Sequence, residues 1–391
     1  MKILFVLTYY RPHVSGLTIY VERLAKALAE RGHTVTVLTS HYAKQLPYEE
    51  TLNGVRVVRA PVLFRLNKGV LMPTFPALIW REIRAHDVVS IHLPQVEATL
   101  STVLTRLAGR KAVITYHCDL EMPPSVWYGR VVDWVTHWNN ILACKIADNI
   151  VAYTHDFAEH SRVLSRFAKS SKLRVILPPV VIPEPTRDGA QALREQYGLN
   201  HRPVIGFAAR FAYEKGAGYL INALPRILAE IPDAHIVFAG PYLDVVGERI
   251  WYELQPLIKQ YESCLTFLGT LSPAQMADFY AACDVITVAS INNTESFGLV
   301  QVEAFMCGTP VVATNLPGVR QPVTMTGMGE IVPVADAQGL AEGILKVLRD
   351  PASYIKPRDQ IMATFSMAHT VEKYEGLFAQ VTGAESQSKT E

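Results

Sequence analysis

The chain has 391 residues, with 37 Lys and Arg against 36 Asp and Glu, 49% hydrophobic residues and 19% charged residues. At about 100–200 residues per domain, this length predicts two domains, or at most three. The composition is that of a globular protein and excludes disordered, collagen-like and coiled-coil chains.

Targeting signals and cysteine usage favour a cytoplasmic protein. No apolar run in the sequence reaches the about 18 residues that a membrane span needs. The apolar start, Met1–Tyr10, is followed by Arg11 without a small-residue cleavage site, which predicts a buried strand rather than a signal peptide. The five cysteines are dispersed and lack C-x-x-C spacing, so we expect neither a disulfide scaffold nor a zinc site.

The two halves of the chain differ in charge. Residues 1–185 carry 22 basic and 14 acidic side chains, a net +8, whereas residues 186–391 carry 15 and 22, a net −7. A basic half suggests an anionic partner such as a lipid phosphate, a membrane surface or, less favoured, nucleic acid. The alternative is that the surface charges of two domains have drifted without function.

In the first half, strands and helices alternate. Lys2–Leu7 is apolar and predicts a strand, a polar loop follows over Thr8–Leu17, and a helical pattern then ends at Gly32. Thr34–Leu38 predicts the next strand, so the order is that of a parallel-sheet unit. Further strands are predicted at Val55–Arg59, Val88–His92, Ala112–Tyr116 and Ile150–Tyr153.

The second half repeats this order after a Pro-rich linker, Leu177–Pro185. Helices are predicted over Tyr219–Glu230 and from the cap residue Ser272 through Ala282. Patterning therefore predicts two doubly wound α/β domains facing a cleft, with a frayed polar tail. The predicted strands are Val204–Ala209, Ala234–Ala239, Leu265–Gly269, Asp284–Ala289 and Val311–Thr314.

Several common catalytic motifs are missing from the sequence. There is no G-x-G-x-x-G, which removes the main support for dinucleotide-dependent oxidoreduction. There is also no G-x-x-x-x-G-K-[ST], H-E-x-x-H, G-x-S-x-G or D-x-D. A metal-dependent mechanism therefore has no visible site, and no metal or cofactor is expected.

The segment TESFGLVQVEAFMCG, at 294–308, carries two glutamates, Glu295 and Glu303, separated by seven residues. The turn around Gly298 should begin a helix after a strand, and free N–H groups in a first helical turn stabilise a phosphate. Glu303 would lie about one and a half turns further on, able to accept hydrogen bonds from sugar hydroxyls. The alternative is an ordinary helix with an acidic start and a surface glutamate.

A second segment, Ala209 to Gly216, places Arg210 and Lys215 at the end of the first strand of the second half. Ligands of parallel sheets bind at such strand ends. Two fixed cations there would stabilise the negative charge that develops on a departing nucleoside diphosphate. Taken alone, the segment is better explained by a solvated turn with one salt bridge.

Together, these segments closely resemble those of the retaining glycosyltransferases of family 4, which have the two-Rossmann GT-B fold. The resemblance extends along the chain through ERGHTVTVLTS, HDVVSIH, TYHCD, CGTPVVAT and the FS…EKYEGLF tail. It implies an acceptor-binding domain over 1–183 and a nucleotide-sugar-binding domain over 184–364. It also implies that a C-terminal helix over 365–381 packs back on the first domain, followed by a disordered tail over 382–391.

The same resemblance implies the roles of individual residues. Arg210 and Lys215 would hold the diphosphate, Glu295 would orient the sugar, and Glu303 would bind the ribose hydroxyls. The base would lie beside Leu271. The catalytic set is then Glu295, His117, Arg210 and Lys215, although His117 could instead be an ordinary buried histidine. The remaining donor-binding residues are Gly16, Asp119, Leu271, Ser296, Phe297, Gly298, Leu299 and Glu303.

For the reaction, the resemblance implies transfer of a hexose from a UDP- or GDP-linked sugar with retention of configuration and without a metal. A retaining hydrolase would show two carboxylates about 5–5.5 Å apart, whereas the family's glutamates bind the donor. The hypothesis is a same-face substitution in which the leaving phosphate oxygen takes the acceptor proton. A sugar-nucleotide 2-epimerase is the alternative of the same shape, and a sugar-binding protein without catalysis would need export.

The acceptor is not readable from the sequence, but a lipid-linked hydroxyl in glycolipid or polysaccharide synthesis is expected. Residues 51–86 are basic and aromatic, a mixture that suits peripheral contact with the inner face of a membrane. A helix around Trp127–Ile146 carries Val131, Trp134, Trp138 and Ile141 on one side. We expect that side to belong to the core, and membrane contact is the alternative. The basic segment contains Arg56, Arg59, Arg65, Lys68, Arg81 and Arg84 with Glu82 as its one acid, and Phe64, Leu71, Phe75 and Trp80.

Overall fold

The computed structural model describes residues 1–66, 69–121, 129–243, 245 and 248–383. The chain folds as two compact units, one formed by Met1–Pro179 with the segment from Ser366 onward, and the other by Val180–Phe365. The Pro-rich linker predicted over Leu177–Pro185 spans the point where the first unit ends and the second begins. No described helix is long and apolar enough to cross a membrane.

Unit 1 is built around an eight-stranded sheet of order β10-β9-β8-β7-β1-β2-β4-β3, parallel except for β3. Strand β1 is buried along Ile3–Val6, as expected of a parallel strand covered on both faces. The strands are β1 Lys2–Val6, β2 Thr34–His41, β3 Glu49–Leu52, β4 Val55–Pro61, the hairpin β5 Phe64–Leu66 and β6 Gly69–Leu71, β7 Val88–Leu93, β8 Lys111–Tyr116, β9 Asn149–Ala152 and β10 Leu173–Val175. The helices are α1 Gly16–Glu30, α2 Phe75–Ala85, α3 Ala98–Leu107, α4 Gly129–Ile146 and α5 His155–His160, with a 3₁₀ turn at Leu164–Arg166.

Unit 2 is an all-parallel six-stranded sheet of order β13-β12-β11-β14-β15-β16. The strands are β11 Val204–Ala208, β12 His235–Ala239, β13 Leu265–Gly269, β14 Val285–Val288, β15 Val311–Thr314 and β16 Gly329–Val332. The helices are α6 Arg187–Gln196, α7 Ala217–Glu230, α8 Ile250–Glu253, α9 Gln255–Gln260, α10 Pro273–Ala282, α11 Leu299–Met306, α12 Gln321–Thr326, α13 Ala337–Arg349 and α14 Arg358–Thr364, with 3₁₀ turns at Tyr213–Lys215, Glu262–Cys264 and Pro351–Tyr354.

The last helix, α15 (Met367–Thr382), belongs to unit 1 although it follows unit 2 in the chain. Its Tyr374 hydroxyl lies 2.6 Å from the hydroxyl of Tyr20 on α1 and 3.0 Å from that of Thr115 on β8. The predicted return of the C-terminal helix to the first domain is therefore confirmed. Of the predicted tail, 382–391, only Thr382 and Gly383 are among the described residues, and both end this helix.

The predicted strands of both units and the two helices predicted in unit 2 are confirmed. Most of their predicted ends lie within two residues of the observed ends. Ser272 forms a complete capping box, since it accepts from the Gln275 N–H while the Gln275 side chain accepts from the Ser272 N–H. Strand β16 was not predicted. It is short and half-buried, and Gly329 and Glu330 at its start give no apolar signal.

The expectation that the apolar side of the helix around Trp127–Ile146 belongs to the core is wrong for three of its four residues. Within α4, Val131, Trp134 and Trp138 are exposed, whereas Ile141 is half-buried and packs against the core. Trp127 lies outside the described residues. The side that meets the rest of unit 1 is instead small and polar, and consists of Gly129, Thr136, Asn140, Ala143 and Cys144. Periodicity showed that the helix has two unlike sides, but not which of them faces the sheet.

The basic segment 51–86 is also less exposed than its composition suggests. Phe75 and Arg59 are buried, with 2% and 1% of their surface exposed, so neither belongs to an outer surface. Arg59 pairs with Glu50 and donates 2.9 Å to the Pro47 carbonyl. Lys68 lies outside the described residues.

Candidate active site

The predicted donor-binding residues of unit 2 lie where its strand order reverses, between β11 and β14. Ligands of open parallel sheets bind at the carboxyl ends of strands beside such a reversal. The loop after β11 carries Arg210 and Lys215, and the loop after β14 carries Glu295. The Ile291 N–H donates 3.0 Å to the Glu214 carbonyl, which joins the two loops.

The two loops place Lys215 against Glu295. The Lys215 Nζ lies 2.6 Å from Glu295 Oε2, and both side chains are about one-fifth exposed. The other carboxylate oxygen, Oε1, accepts the Gly298 N–H at 2.9 Å. The turn that begins α11 therefore holds an anion between an ammonium group and a backbone amide.

This environment lowers the pKa of Glu295. Burial alone would raise the pKa, but the charge and hydrogen bond of Lys215 and the N–H groups of Gly298 and Phe297 favour the carboxylate more strongly. Glu295 is therefore ionised at neutral pH. Its position shows that this turn stabilises negative charge.

Two glycines allow the loops to approach this closely. Gly216 has a φ of 72°, and a Cβ there would lie 2.0 Å from the Ala289 carbonyl oxygen. Gly298, the residue before α11, has a φ of 74°, in the left-handed region that favours glycine. The first N–H groups of a helix have no acceptor within it. The N–H groups of Leu299 and Val300, at the start of α11, can therefore donate to an anion.

Arg210 lies on the same loop as Lys215 but is engaged by different carboxylates. Its guanidinium is hydrogen-bonded to Glu214 and lies 3.8 Å from Glu248. Glu248 also accepts the Tyr213 N–H at 3.1 Å. The sequence prediction missed Glu248, because it lies 38 positions along the chain from Arg210, outside any motif.

The remaining predicted residues of unit 2 lie at three places: on α11, in the loop after β13 and in the turn next to Glu295. Glu303, on α11, accepts a hydrogen bond from the Tyr280 hydroxyl at 3.1 Å. Leu271 is half-buried in the loop after β13. Ser296 and Phe297 are buried in the turn before α11. Tyr280, on α10, was not predicted, because an aromatic residue in a helix is usually a core residue.

In unit 1, Gly16 is the first residue of α1 and follows β1. Ser15 caps this helix by accepting the Thr18 N–H at 3.2 Å. Gly16 is exposed, and a Cβ added there would find no atom of the protein within 4 Å. The strand order of unit 1 reverses between β1 and β7, so Gly16 lies beside the ligand-binding edge expected of that sheet.

His117 follows β8 and is buried among polar aromatic side chains. Its Nε2 lies 2.8 Å from His92 Nδ1, and its Nδ1 is hydrogen-bonded to the Tyr153 hydroxyl. Burial lowers the pKa of His117 well below its ordinary value and that of His92 to about 3. Both imidazoles are therefore neutral at physiological pH, and one ring N–H donates to the other ring.

Asp119, two residues further on, is fully engaged within unit 1. Its carboxylate accepts hydrogen bonds from the Tyr116 hydroxyl at 2.8 Å, the Ser161 hydroxyl at 2.8 Å and the Arg162 N–H at 2.9 Å. These contacts tie the segment after β8 to the end of α5. The predicted donor-binding role of Asp119 stays a prediction, as do the individual roles of the other site residues.

The family of the chain follows from its sequence as well as from this arrangement. Residues 190–364 match the family described as glycosyl transferases group 1, and residues 14–182 match glycosyltransferase family 4. The two matches cover most of the chain, one in each unit. The chain belongs to the family 4, group 1 glycosyltransferases, and it is a glycosyltransferase.

Curated relatives are similar over nearly their whole length. A GDP-mannose-dependent α-(1-6)-phosphatidylinositol monomannoside mannosyltransferase from Mycolicibacterium smegmatis is 27% identical over 365 residues, which is 89% of each chain. A D-inositol 3-phosphate glycosyltransferase from Xylanimonas cellulosilytica is 29% identical over 366 residues, 86% of this chain and 84% of the relative.

Solved structures show the same fold. The Anabaena protein HepE in complex with UDP superposes with a TM-score of 0.77 at 21% identity, over 97% of this chain and 100% of HepE. Sucrose-phosphate synthase from Thermosynechococcus elongatus also gives 0.77, at 22% identity, over 98% and 99% of the two chains. The fold is GT-B, with two Rossmann-like α/β domains, as the sequence predicted.

Proposed function

We propose that this glycosyltransferase transfers a hexose from a nucleoside-diphosphate sugar to an acceptor hydroxyl, with retention of the anomeric configuration and without a metal. The observation that carries the proposal is the anion held at the start of α11. Lys215 and the Gly298 N–H surround a carboxylate at the strand-order reversal of unit 2. The same donors suit a diphosphate.

The donor then has a defined place in unit 2. Its diphosphate lies near Lys215 and Arg210. The phosphate oxygens then replace the carboxylates of Glu295 and Glu214 as partners of these cations, and the two carboxylates turn toward the sugar or solvent. Glu303, already accepting from a hydroxyl in the Tyr280 contact, accepts from the ribose. The names of relatives and structural neighbours support UDP or GDP as the nucleotide.

The proposed step is a substitution on one face of the sugar. The bond between the anomeric carbon and the phosphate oxygen breaks, and the acceptor oxygen bonds to that carbon from the same side. The acceptor proton passes to the departing phosphate oxygen, so no protein base is needed. Lys215, Arg210 and the amides at the start of α11 stabilise the negative charge that develops on the leaving diphosphate.

The acceptor is proposed to be a hydroxyl of a lipid-linked polyol or sugar, in glycolipid or polysaccharide synthesis. Two relatives support this acceptor class, namely the phosphatidylinositol monomannoside mannosyltransferase and the D-inositol 3-phosphate glycosyltransferase. A location at the inner face of the cell membrane would bring the enzyme to such an acceptor.

Lys215→Ala tests the donor site. Turnover should fall by about 100-fold or more, since one charge-stabilising donor is worth about 2.7–4 kcal/mol in a transition state. The free energy of unfolding should fall by less, by about 2 kcal/mol, because Glu295 loses its ion-pair partner. The matched control is Lys346→Ala, which removes an ion pair with Glu330 on the outer side of the same unit. Turnover unchanged by Lys215→Ala would contradict the proposed scheme.

Donor identity is tested first by thermal shift with UDP, GDP, ADP and their sugar conjugates in the presence of EDTA. A nucleotide that binds the native state raises the melting temperature, and the shift should disappear in Lys215→Ala. Sugar-nucleotide consumption without an acceptor, yielding the 2-epimer, would favour the epimerase instead.

A further inference from the structure

Helix α4 presents an apolar stripe to the outside of unit 1. Its members follow one another at helical spacing along the whole helix, so they form one continuous surface. They are Val131, Trp134, Val135, Trp138 and Leu142, and their exposed fractions are 65%, 64%, 48%, 47% and 46%.

The stripe is not needed to pack α4 against the rest of unit 1. The opposite side of α4 places Ala143 and Cys144 in the buried core of unit 1. Next to it, the Thr99 hydroxyl of α3 donates 2.8 Å to the Asn139 carbonyl, and the Asn139 amide donates 3.0 Å to the Gln95 carbonyl. The two tryptophans therefore remain at the surface, where large apolar side chains in a row mark an interaction site.

The charges around the stripe are positive. Arg130 and Lys145 are exposed near the two ends of α4. Within Gly129–Ile146 the single acid, Asp133, is ion-paired with Arg162 at 2.9 Å. The Arg166 guanidinium lies 5.7 Å from the Trp138 ring centroid. The face that a partner would meet thus combines aromatic rings with cations.

We propose that this face of α4 docks on an anionic lipid surface. Tryptophan rings settle at the headgroup level of a bilayer, and flanking Arg and Lys side chains bind lipid phosphates. A second copy of the chain fits less well. Antiparallel pairing of two α4 helices would bring Arg130 toward Lys145 of the copy, and parallel pairing would bring each cation toward its own equivalent.

The basic segment 51–86 is the alternative docking surface, and fewer of its side chains are available to a membrane. Its Phe75 and Arg59 are buried. Arg56 and Arg81 both pair with Glu82, at 2.7 and 2.8 Å. Three of its arginines, Arg56, Arg59 and Arg81, are therefore held in ion pairs within unit 1. Arg130 and Lys145 of α4 form no ion pair with a described residue.

The test is sedimentation of the full chain with vesicles of phosphatidylcholine, with and without 30% phosphatidylglycerol, a chosen mole fraction of roughly cytoplasmic-leaflet charge. The parent protein should bind the anionic vesicles, and brominated lipid should quench its tryptophan fluorescence. Trp134→Ser combined with Trp138→Ser, called here the α4 double variant, should weaken binding by about tenfold or more and remove most of the quenching. Arg130→Gln with Lys145→Gln should weaken binding to anionic vesicles by about 25-fold, since each cation near a charged surface adds about fivefold.

Trp80→Ser is the matched control, because it removes a tryptophan that is 37% exposed on α2. It should leave vesicle binding unchanged. Loss of binding in Trp80→Ser but not in the α4 double variant would assign docking to segment 51–86 and overturn the proposal. A dimer in sedimentation velocity that the α4 double variant dissociates would assign the face to a second copy instead.

Docking uses none of the residues proposed to bind the donor, so the two proposals fail separately. The α4 double variant should keep the nucleotide-induced thermal shift and its far-ultraviolet circular dichroism spectrum, because both replaced side chains are exposed. Absence of vesicle binding by the parent protein would overturn the docking proposal while leaving the transfer proposal intact.

Discussion

At the scale of single residues, the Lys215–Glu295 pair couples stability to pH. The pKa of Glu295 lies below its ordinary value of 4.5 in the folded state. The folded protein thus binds this proton more weakly than the unfolded chain does. The resulting stabilisation is complete above the unfolded pKa and is lost as the pH falls through the folded pKa.

Glu295→Gln should lower the free energy of unfolding of unit 2 by about 2 kcal/mol at pH 7, because Lys215 loses a charged partner in a mostly buried site. The difference from the parent protein should shrink as the pH falls from 4.5, where the unfolded chain begins to bind the proton, through the lower folded pKa of Glu295, where the folded carboxylate is protonated as well. Hydrogen exchange of unit 2 amides, measured across this range, checks the prediction.

Glu253→Gln is the control for this experiment, since Glu253 is an exposed carboxylate of the same unit. It should change hydrogen exchange little at any pH. A Glu295→Gln effect that is the same at pH 7 and at pH 3 would show that the ionised carboxylate does not stabilise the loop.

At the scale of elements, backbone geometry at one glycine determines how the β11 and β14 loops meet. Gly216 lies between the 3₁₀ turn Tyr213–Lys215 and α7, in the left-handed region. The Ala289 carbonyl occupies the space that a side chain would need. Lys215 reaches Glu295 only because this approach is open.

Gly216→Ala should destabilise unit 2 by about 2–3 kcal/mol, through both the positive φ and the displaced backbone. It should also weaken nucleotide binding, because Lys215 moves with the turn. Gly218→Ala is the matched control. It lies within α7, where its Cβ would meet only the flexible end of Leu254 at 3.3 Å, so its effect on stability should be small. Urea unfolding and thermal shift with nucleotide measure both, and equal effects would refute the argument.

Helix α4 shows where element-level reasoning from sequence fails. Its large apolar residues were expected inside, since burial of such side chains normally dominates folding. The helix is instead seated by Ala143, Cys144 and polar side chains, which allow close packing against the rest of unit 1. Hydrophobic periodicity cannot distinguish a core face from a face kept for a partner.

At the scale of the whole molecule, the C-terminal helix makes unit 1 discontinuous in sequence. Tyr374 is buried, and its hydroxyl joins those of Tyr20 and Thr115. Glu375 adds an ion pair to Arg31 at 2.6 Å and a hydrogen bond to the His33 ring at 2.9 Å. Residues from both ends of the chain therefore stabilise one unit.

Tyr374→Phe should destabilise unit 1 by about 1–2 kcal/mol, because two buried hydroxyls each lose a hydrogen-bonding partner. Ending the chain at Phe365 should have a larger effect and expose the α1 face that α15 covers. Glu372→Gln, which removes only an exposed 3.8 Å pair with Arg31, is the control and should be nearly neutral. Thermal unfolding distinguishes these cases, and a truncated chain as stable as the parent would contradict the role of α15.

Much of this architecture was determined by the sequence alone. Apolar runs of strand length alternate with helical periods, and this pattern is sufficient for two parallel-sheet domains because it reflects local geometry. The segments around Arg210, Lys215, Glu295 and Glu303 were found for the same reason, since strand ends and helix starts have local signatures.

Other features were decided only by the tertiary structure. Lys215 pairs with Glu295, which is 80 positions away, and Arg210 lies near Glu248. His117 is hydrogen-bonded to His92 and Tyr153. Such contacts depend on which strands become neighbours, and the outward face of α4 depends on which side the sheet leaves uncovered. Both are outcomes of packing between segments far apart in the chain, which no local pattern encodes.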